Sequence, residues 1–264
     1  MTKKSIIITS ILLSILALLF ILFGAVFRLR QIDVVRPEGS EIAVTDQDII
    51  AASKLKLGKS IFMLDKQSAI DEIEQTYAEI KVVQIKTVSV VRVQIVVRER
   101  VEMFYAEYNN SFYCLDEDLK VLRQTETEPT NLIKIETDLG ITSNTKLHDF
   151  LNKDYALITY KLFTAMYTNV KVEDHYAERA DICNLISSVK FEKGYELIDE
   201  NNAVSFTNLI ITTRAGLTMQ IAAPENDLGK KVNICFSTFD SLEDKTKGKI
   251  VIKYNGTAAY YPEA

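Results

Sequence analysis

Hydrophobic and polar positions alternate differently in three stretches of the chain. In 5–27 there are 23 residues without a charge, bracketed by Lys3 and Lys4 before and by Arg28 and Arg30 after. As a helix rising about 1.5 Å per residue this run extends about 34 Å, enough to cross a hydrocarbon layer of about 30 Å. The pattern predicts a transmembrane helix over 5–27 behind a short tail, 1–4. An export signal begins in the same way, but its apolar core is about 7 to 15 residues and ends in a small-x-small cleavage site. Gly24-Ala25-Val26-Phe27 matches that poorly, which favours a retained anchor.

Over 28–101 the pattern predicts a compact α+β unit. A short strand, 31–36 (QIDVVR), leads to a turn at Pro37 to Ser40. Thr45 with Asp48 three residues on reads as a helix cap, opening a short helix that stops at Gly58. Asp65 caps a second helix, in which Ile70, Ile73, Tyr77 and Ile80 recur at helical spacing. The period then changes to two. Within 81–101, Val93, Ile95 and Val97 point one way, while Arg92, Gln94, Val96, Arg98 and Arg100 point the other. That is a hairpin with one wet face, and the two helices can cover the three strands.

The remainder, 102–264, predicts a mainly β domain with helices. Strands fall at 111–115 and 120–122 around an acidic turn, Asp116-Glu117-Asp118, and at 185–192, 196–198, 204–213 and 217–222. Helices are expected over 147–167 and from Leu228 to Leu242, and a last strand at 249–254 (KIVIKY) precedes a Tyr-rich tail, 255–264.

Composition then removes several functions. With 31 basic and 36 acidic residues the net charge is −5, the wrong sign for coating nucleic acid. His148 and His175 are the only histidines and lie far apart in sequence, so neither a metal ligand set nor a general base is expected. Cys114, Cys183 and Cys235 sit among apolar residues, the setting of buried inert thiols, although one disulfide pair stays open. The GKS triplet at Gly58 lacks the earlier glycine of a phosphate loop, and no G-x-S-x-G elbow is present. We therefore expect no enzyme, no cofactor, no metal and no small-molecule substrate. The alternative is a membrane-anchored sensor or hydrolase with an unrecognised site. Lys and Arg are too evenly split across the apolar run to orient it.

The segments IDVV, LGKSIFMLD (57–65), EQTYAEIK (74–81), VQIVVRERVEMFY (93–105) and FYCLDEDLKVL (112–122) resemble those of the POTRA-bearing FtsQ/DivIB family of bacterial cell-division proteins. LTMQIAAPENDLGKKV (217–232) and GKIVIKYNGTAAYYPE (248–263) are similar to the end of that family's β-domain. The resemblance implies an anchor at 5–27, a POTRA domain at 28–101, a β-domain at 102–254 and a tail at 255–264. It also implies a single-pass protein of the cytoplasmic membrane, held by lipid around 5–27, with its C-terminal part outside the cell and concentrated at the division septum. Its function would be to bind DivIC/FtsB-like and FtsL-like partners and so organise septal wall synthesis.

The final strand is the candidate docking site. Ile250, Ile252 and Tyr254 point to the core, with Lys249, Val251 and Lys253 opposite. An edge strand presents unpaired backbone groups that another chain can complete, and the open edge is expected here. By the resemblance, partner binding falls on Lys249, Ile250, Val251, Ile252, Lys253 and Tyr254, followed by Thr257, Tyr260 and Tyr261. The competing reading is that Tyr260 and Tyr261 fold back on their own domain.

Overall fold

Thr45 and Asp65 do begin helices: Thr45 Oγ1 accepts from Asp48 N at 3.2 Å and Asp65 Oδ1 from Ser68 N at 2.9 Å. They belong to a computed structural model that describes residues 13–15, 27–37, 40, 42–172, 174–199 and 202–262. The expected membrane span lies outside these, apart from 13–15 and Phe27. Among the described residues no helix is long and apolar enough to cross a membrane. The chain divides into two compact units between Arg100 and Val101.

The first unit runs β1 (Gln31–Val35), α1 (Asp46–Ala52), α2 (Lys66–Thr76), β2 (Ile80–Ser89) and β3 (Arg92–Glu99). Its sheet has the order β1-β3-β2, with β1 parallel to β3 and β2 antiparallel to it. A parallel pair needs a crossover, which here contains both helices. Val93, Ile95 and Val97 are fully buried with Ile49 of α1 and Ile73 of α2. Two expectations change. Helix α1 ends at Ala52, well before Gly58, because Ser53 Oγ donates to Ile50 O and Lys54 takes a left-handed φ of +54°. Arg100, expected on the wet face, is buried and ion-paired with Glu74 of α2 at 2.6 Å.

The second unit opens with β4 (Phe104–Tyr108), β5 (Ser111–Leu115), β6 (Val121–Thr125), β7 (Ile133–Ile135) and α3 (Lys153–Asn169). Next come β8 (Lys171–Val172), β9 (His175–Tyr176), α4 (Arg179–Leu185), β10 (Ile186–Asp199) and β11 (Asn202–Thr213). It closes with β12 (Thr218–Ala222), α5 (Leu228–Ser241), β13 (Lys249–Ile252) and β14 (Ala258–Tyr261). The large sheet has nine strands in the order β14-β13-β12-β11-β10-β7-β4-β5-β6. Leu162, Phe163 and Met166 of α3 and Val232, Cys235 and Phe236 of α5 share one core with Leu209, Ile211, Met219, Ile221, Ile250 and Ile252. Burying each such side chain contributes about 1.5–3 kcal/mol.

The departures from pattern have local causes. Helix α3 starts at Lys153 rather than 147, since His148 and Asn152 have φ of +74° and +32°, and Asn152 Oδ1 caps Tyr155 N at 3.3 Å. The strands expected at 185–192 and 196–198 are one continuous β10, which runs through Gly194, where a Cβ would run into Asn208 and Phe206 of β11. Helix α4 has too few residues to show a period. The acidic turn is no solvated tip: Asp116 is buried and its Oδ1 accepts from Asp118 N and Lys120 N, both at 2.9 Å.

Candidate docking edge

The alternation of 249–252 is as expected: Ile250 and Ile252 are fully buried, Lys249 and Val251 half-buried. Its place in the sheet is not. Strand β13 pairs with β12 in parallel (Thr218 with Lys249, Ile221 with Ile252) and with β14 antiparallel (Lys249 with Tyr261, Ile252 with Ala258). Both of its ladders are filled, so the expectation that 249–254 forms the open edge is corrected. The residue pattern misled because the tail itself supplies a further strand. Asn255 and Gly256 turn the chain, with Gly256 at φ +83° donating to Lys253 O at 2.9 Å. Asn255 Oδ1 accepts from Thr257 N and Oγ1 at 3.0 and 2.8 Å, so Thr257 closes the turn. Lys253 and Tyr254 lie just beyond β13, both exposed.

The open edge is β14. No strand lies beyond it among the described residues, and Pro262 stops it after four residues. Lys253 N donates to Thr257 O at 2.9 Å, making these a bonded pair. Antiparallel alternation then makes Val251–Ala259 and Lys249–Tyr261 bonded pairs and turns the backbone N–H and C=O of Ala258 and Tyr260 outward. At the other end of the sheet β6 is covered in part, for Val121 N donates to Asp149 O at 2.9 Å and His148 N to Val121 O at 2.7 Å.

The two tail tyrosines divide the roles expected of them. Tyr260 folds back: it packs against the core, and its hydroxyl donates to Lys247 O at 3.2 Å. Tyr261 is 52% exposed. Gly248, at φ +96°, makes room for Tyr260, since a Cβ would come within 2.7 Å of its hydroxyl. Gly248→Ala is thus expected to cost about 1–3 kcal/mol through the left-handed backbone alone, and to loosen β14 further. Amide exchange of Ala259 and Tyr261 should quicken while that of β11 stays slow.

Tyr254 leans on Phe206, ring centroids 5.5 Å apart, and lies 5.9 Å from the Lys231 ammonium. Lys231 is buried and donates to Ala222 O and Ala223 O at 2.7 and 2.8 Å; burial pushes its pKa below the usual lysine value. It ties α5 to the end of β12, the strand on which β13 is built.

Among the described residues no other chemistry converges. Cys114, Cys183 and Cys235 are free and buried, and burial pushes Cys114 up to about 11 and Cys235 to about 12. His175 meets Asp181 at 3.2 Å, and among the described residues no three metal-ligating side chains are gathered. Open hollows of about 570 and 510 Å³ lie along β7, lined largely by backbone and side chains of β4, β7, β10 and β11 and the loops beside them.

The three-stranded sheet with β1 parallel to β3 under two helices defines the first unit as a POTRA fold, and residues 27–100 match the model of the POTRA domain, FtsQ-type. Over 240 residues, 89% of this chain and 82% of the other, the sequence is 27% identical to the cell division protein DivIB of Clostridium acetobutylicum. The chain is thus similar to the FtsQ/DivIB family, by its POTRA unit and by a relative matched over most of its length.

Proposed function

We propose that the protein is a non-catalytic scaffold of the bacterial division complex, anchored in the cytoplasmic membrane by 5–27, with both units on the outer side at the septum. Its β-domain captures DivIC/FtsB-like and FtsL-like partner ectodomains by adding their strands to β14. The observation that carries this reading is the outer ladder of β14, which no strand among the described residues fills, on a sheet whose face is covered by α5. Each added main-chain hydrogen bond contributes about 0.5–1.5 kcal/mol net, and confinement to one membrane raises the partners' effective concentration. Of the residues expected to bind, Tyr261 and the backbone of Tyr260 meet the partner directly, joined by the backbone of Ala258, which the residue pattern did not single out. Ile250 and Ile252 hold the strand beneath, and Lys249, Val251, Lys253, Tyr254 and Thr257 form its support and rim.

The test is co-purification from detergent-solubilised membranes. A DivIC-like or FtsL-like chain should accompany the full-length protein and be lost when the chain is cut after Thr257. Equal recovery from both would remove β14 as the docking strand.

A further inference from the structure

We propose that one end of the POTRA unit, built on the 3₁₀ turn Ile61–Met63, seats on anionic phospholipid headgroups of the membrane. The proposal rests on the reading of 5–27 as an anchor. Its starting point is a group of apolar side chains that the fold leaves outside: Leu57 is 62% exposed, Phe62 72% and Met63 81%. Ile61 of the same turn goes into the core, so the turn is a firm part of the unit.

Where this turn is fixed points to its occupant. Ile61 N donates to Phe27 O at 2.9 Å, Leu29 N to Lys59 O at 2.9 Å and Gly58 N to Leu29 O at 2.7 Å. The Phe27 and Phe62 rings lie 5.2 Å apart. Phe27 is the last residue of the charge-free run, so no spacer separates that run from the turn. The next residue pair extends the same end: Arg30 N donates to Val91 O at 2.8 Å, placing the β2–β3 turn, with exposed Val88 and Val90, alongside. Wherever the run enters hydrocarbon, these side chains are held near the interface.

Charge selects the lipid. Arg28, Arg30, Lys56 and Lys59 are exposed around the turn, and Lys56 and Lys59 line a hollow of about 190 Å³ with Met63. Apolar tips set among basic residues are the combination that anionic membrane surfaces attract. A protein partner is a poorer match, because a stable interface buries about 800 Å² on each side, and these tips are single side chains on two narrow turns.

The chain has no tryptophan, so Phe62→Trp creates a sole reporter. The full-length variant is reconstituted into vesicles of equal parts phosphatidylcholine and phosphatidylglycerol, with or without bromine on the acyl chains. Trp emission should shift to the blue and lose most of its intensity with brominated lipid. Gln47→Trp, on α1 beside the far end of β1, should keep its intensity. Lys56→Glu with Lys59→Glu should reduce the quenching at position 62 in the mixed vesicles, and Met63→Trp repeats the measurement without altering the Phe27–Phe62 contact.

A carbonate-resistant chain whose position 62 and 63 reporters are both unquenched would overturn the headgroup seat and leave the anchor standing. A chain stripped from vesicles by carbonate would overturn the anchor reading and this proposal with it. A blue shift that grows with protein density and ignores bromine would identify a second copy as the occupant and overturn the lipid.

Discussion

Ala258→Pro is expected to weaken capture of the DivIC-like partner by more than tenfold while leaving the β-domain folded. The backbone N–H of Ala258 points away from β13, so proline removes a donor only from the ladder offered to an incoming strand. The lost hydrogen bond is about 0.5–1.5 kcal/mol, and the ring also occupies the path of the new strand. A tenfold change corresponds to about 1.4 kcal/mol. Ala259→Pro is the internal contrast: its N–H faces Val251, so it should open the β13–β14 ladder itself and quicken amide exchange there. Capture would be compared by titrating partner ectodomain onto each variant, with thermal unfolding alongside. Full affinity of Ala258→Pro with β14 intact would end the strand-addition mechanism, whatever the pull-downs show.

The open edge is β14 and not β13, for a physical reason. The burial of Ile250 and Ile252 followed directly from alternation, because a half-buried strand has only two faces. Whether a strand lies at an edge is a property of its neighbours, which alternation does not encode. A signal was nevertheless present: Asn255-Gly256 between β-prone segments is a strong hairpin marker, and 258–261 (AAYY) is long enough to return. As a mere tail, 255–264 hides the return strand β14. Alternation and caps carried the POTRA unit for the same reason in reverse, since its strands are amphipathic and its helices begin at side chains that cap them. In the second unit β7 has three residues and α4 seven, too short to express a period, and the burial of Asp116 depends on backbone donors two and four residues later.

Arg100 shows the limit most sharply, and it carries the largest stability effect. Its position after Arg98 and Glu99 suggested solvated charge, yet its side chain is 1% exposed. The guanidinium donates through Nη2 to Glu74 Oε2 at 2.6 Å and through Nε to Ile80 O at 3.1 Å. The other Glu74 oxygen accepts from Val82 N at 2.8 Å, where β2 and β3 slip register between Val82 and Gln84. One ion pair thereby ties α2, the start of β2 and the end of β3. Arg100→Met takes the guanidinium away from the Glu74 carboxylate in a largely buried site, and breaking such a pair costs about 3–5 kcal/mol. With about 4–8 °C for each kcal/mol in a domain of this size, the POTRA unit should melt more than about 12 °C lower. Arg100→Lys should recover only part of this, because an ammonium cannot present the same fork to carboxylate and carbonyl. Adding Glu74→Gln to Arg100→Met should restore stability relative to Arg100→Met alone, since the amide oxygen can still accept from Val82 N while the carboxylate charge that faced Arg100 is gone. Amide exchange of β2 and β3 measures the effect within the unit, independently of the β-domain. A loss below about 1 kcal/mol, the scale of an exposed pair, would mean that the pair is solvated after all and that the unit is held by its apolar core alone.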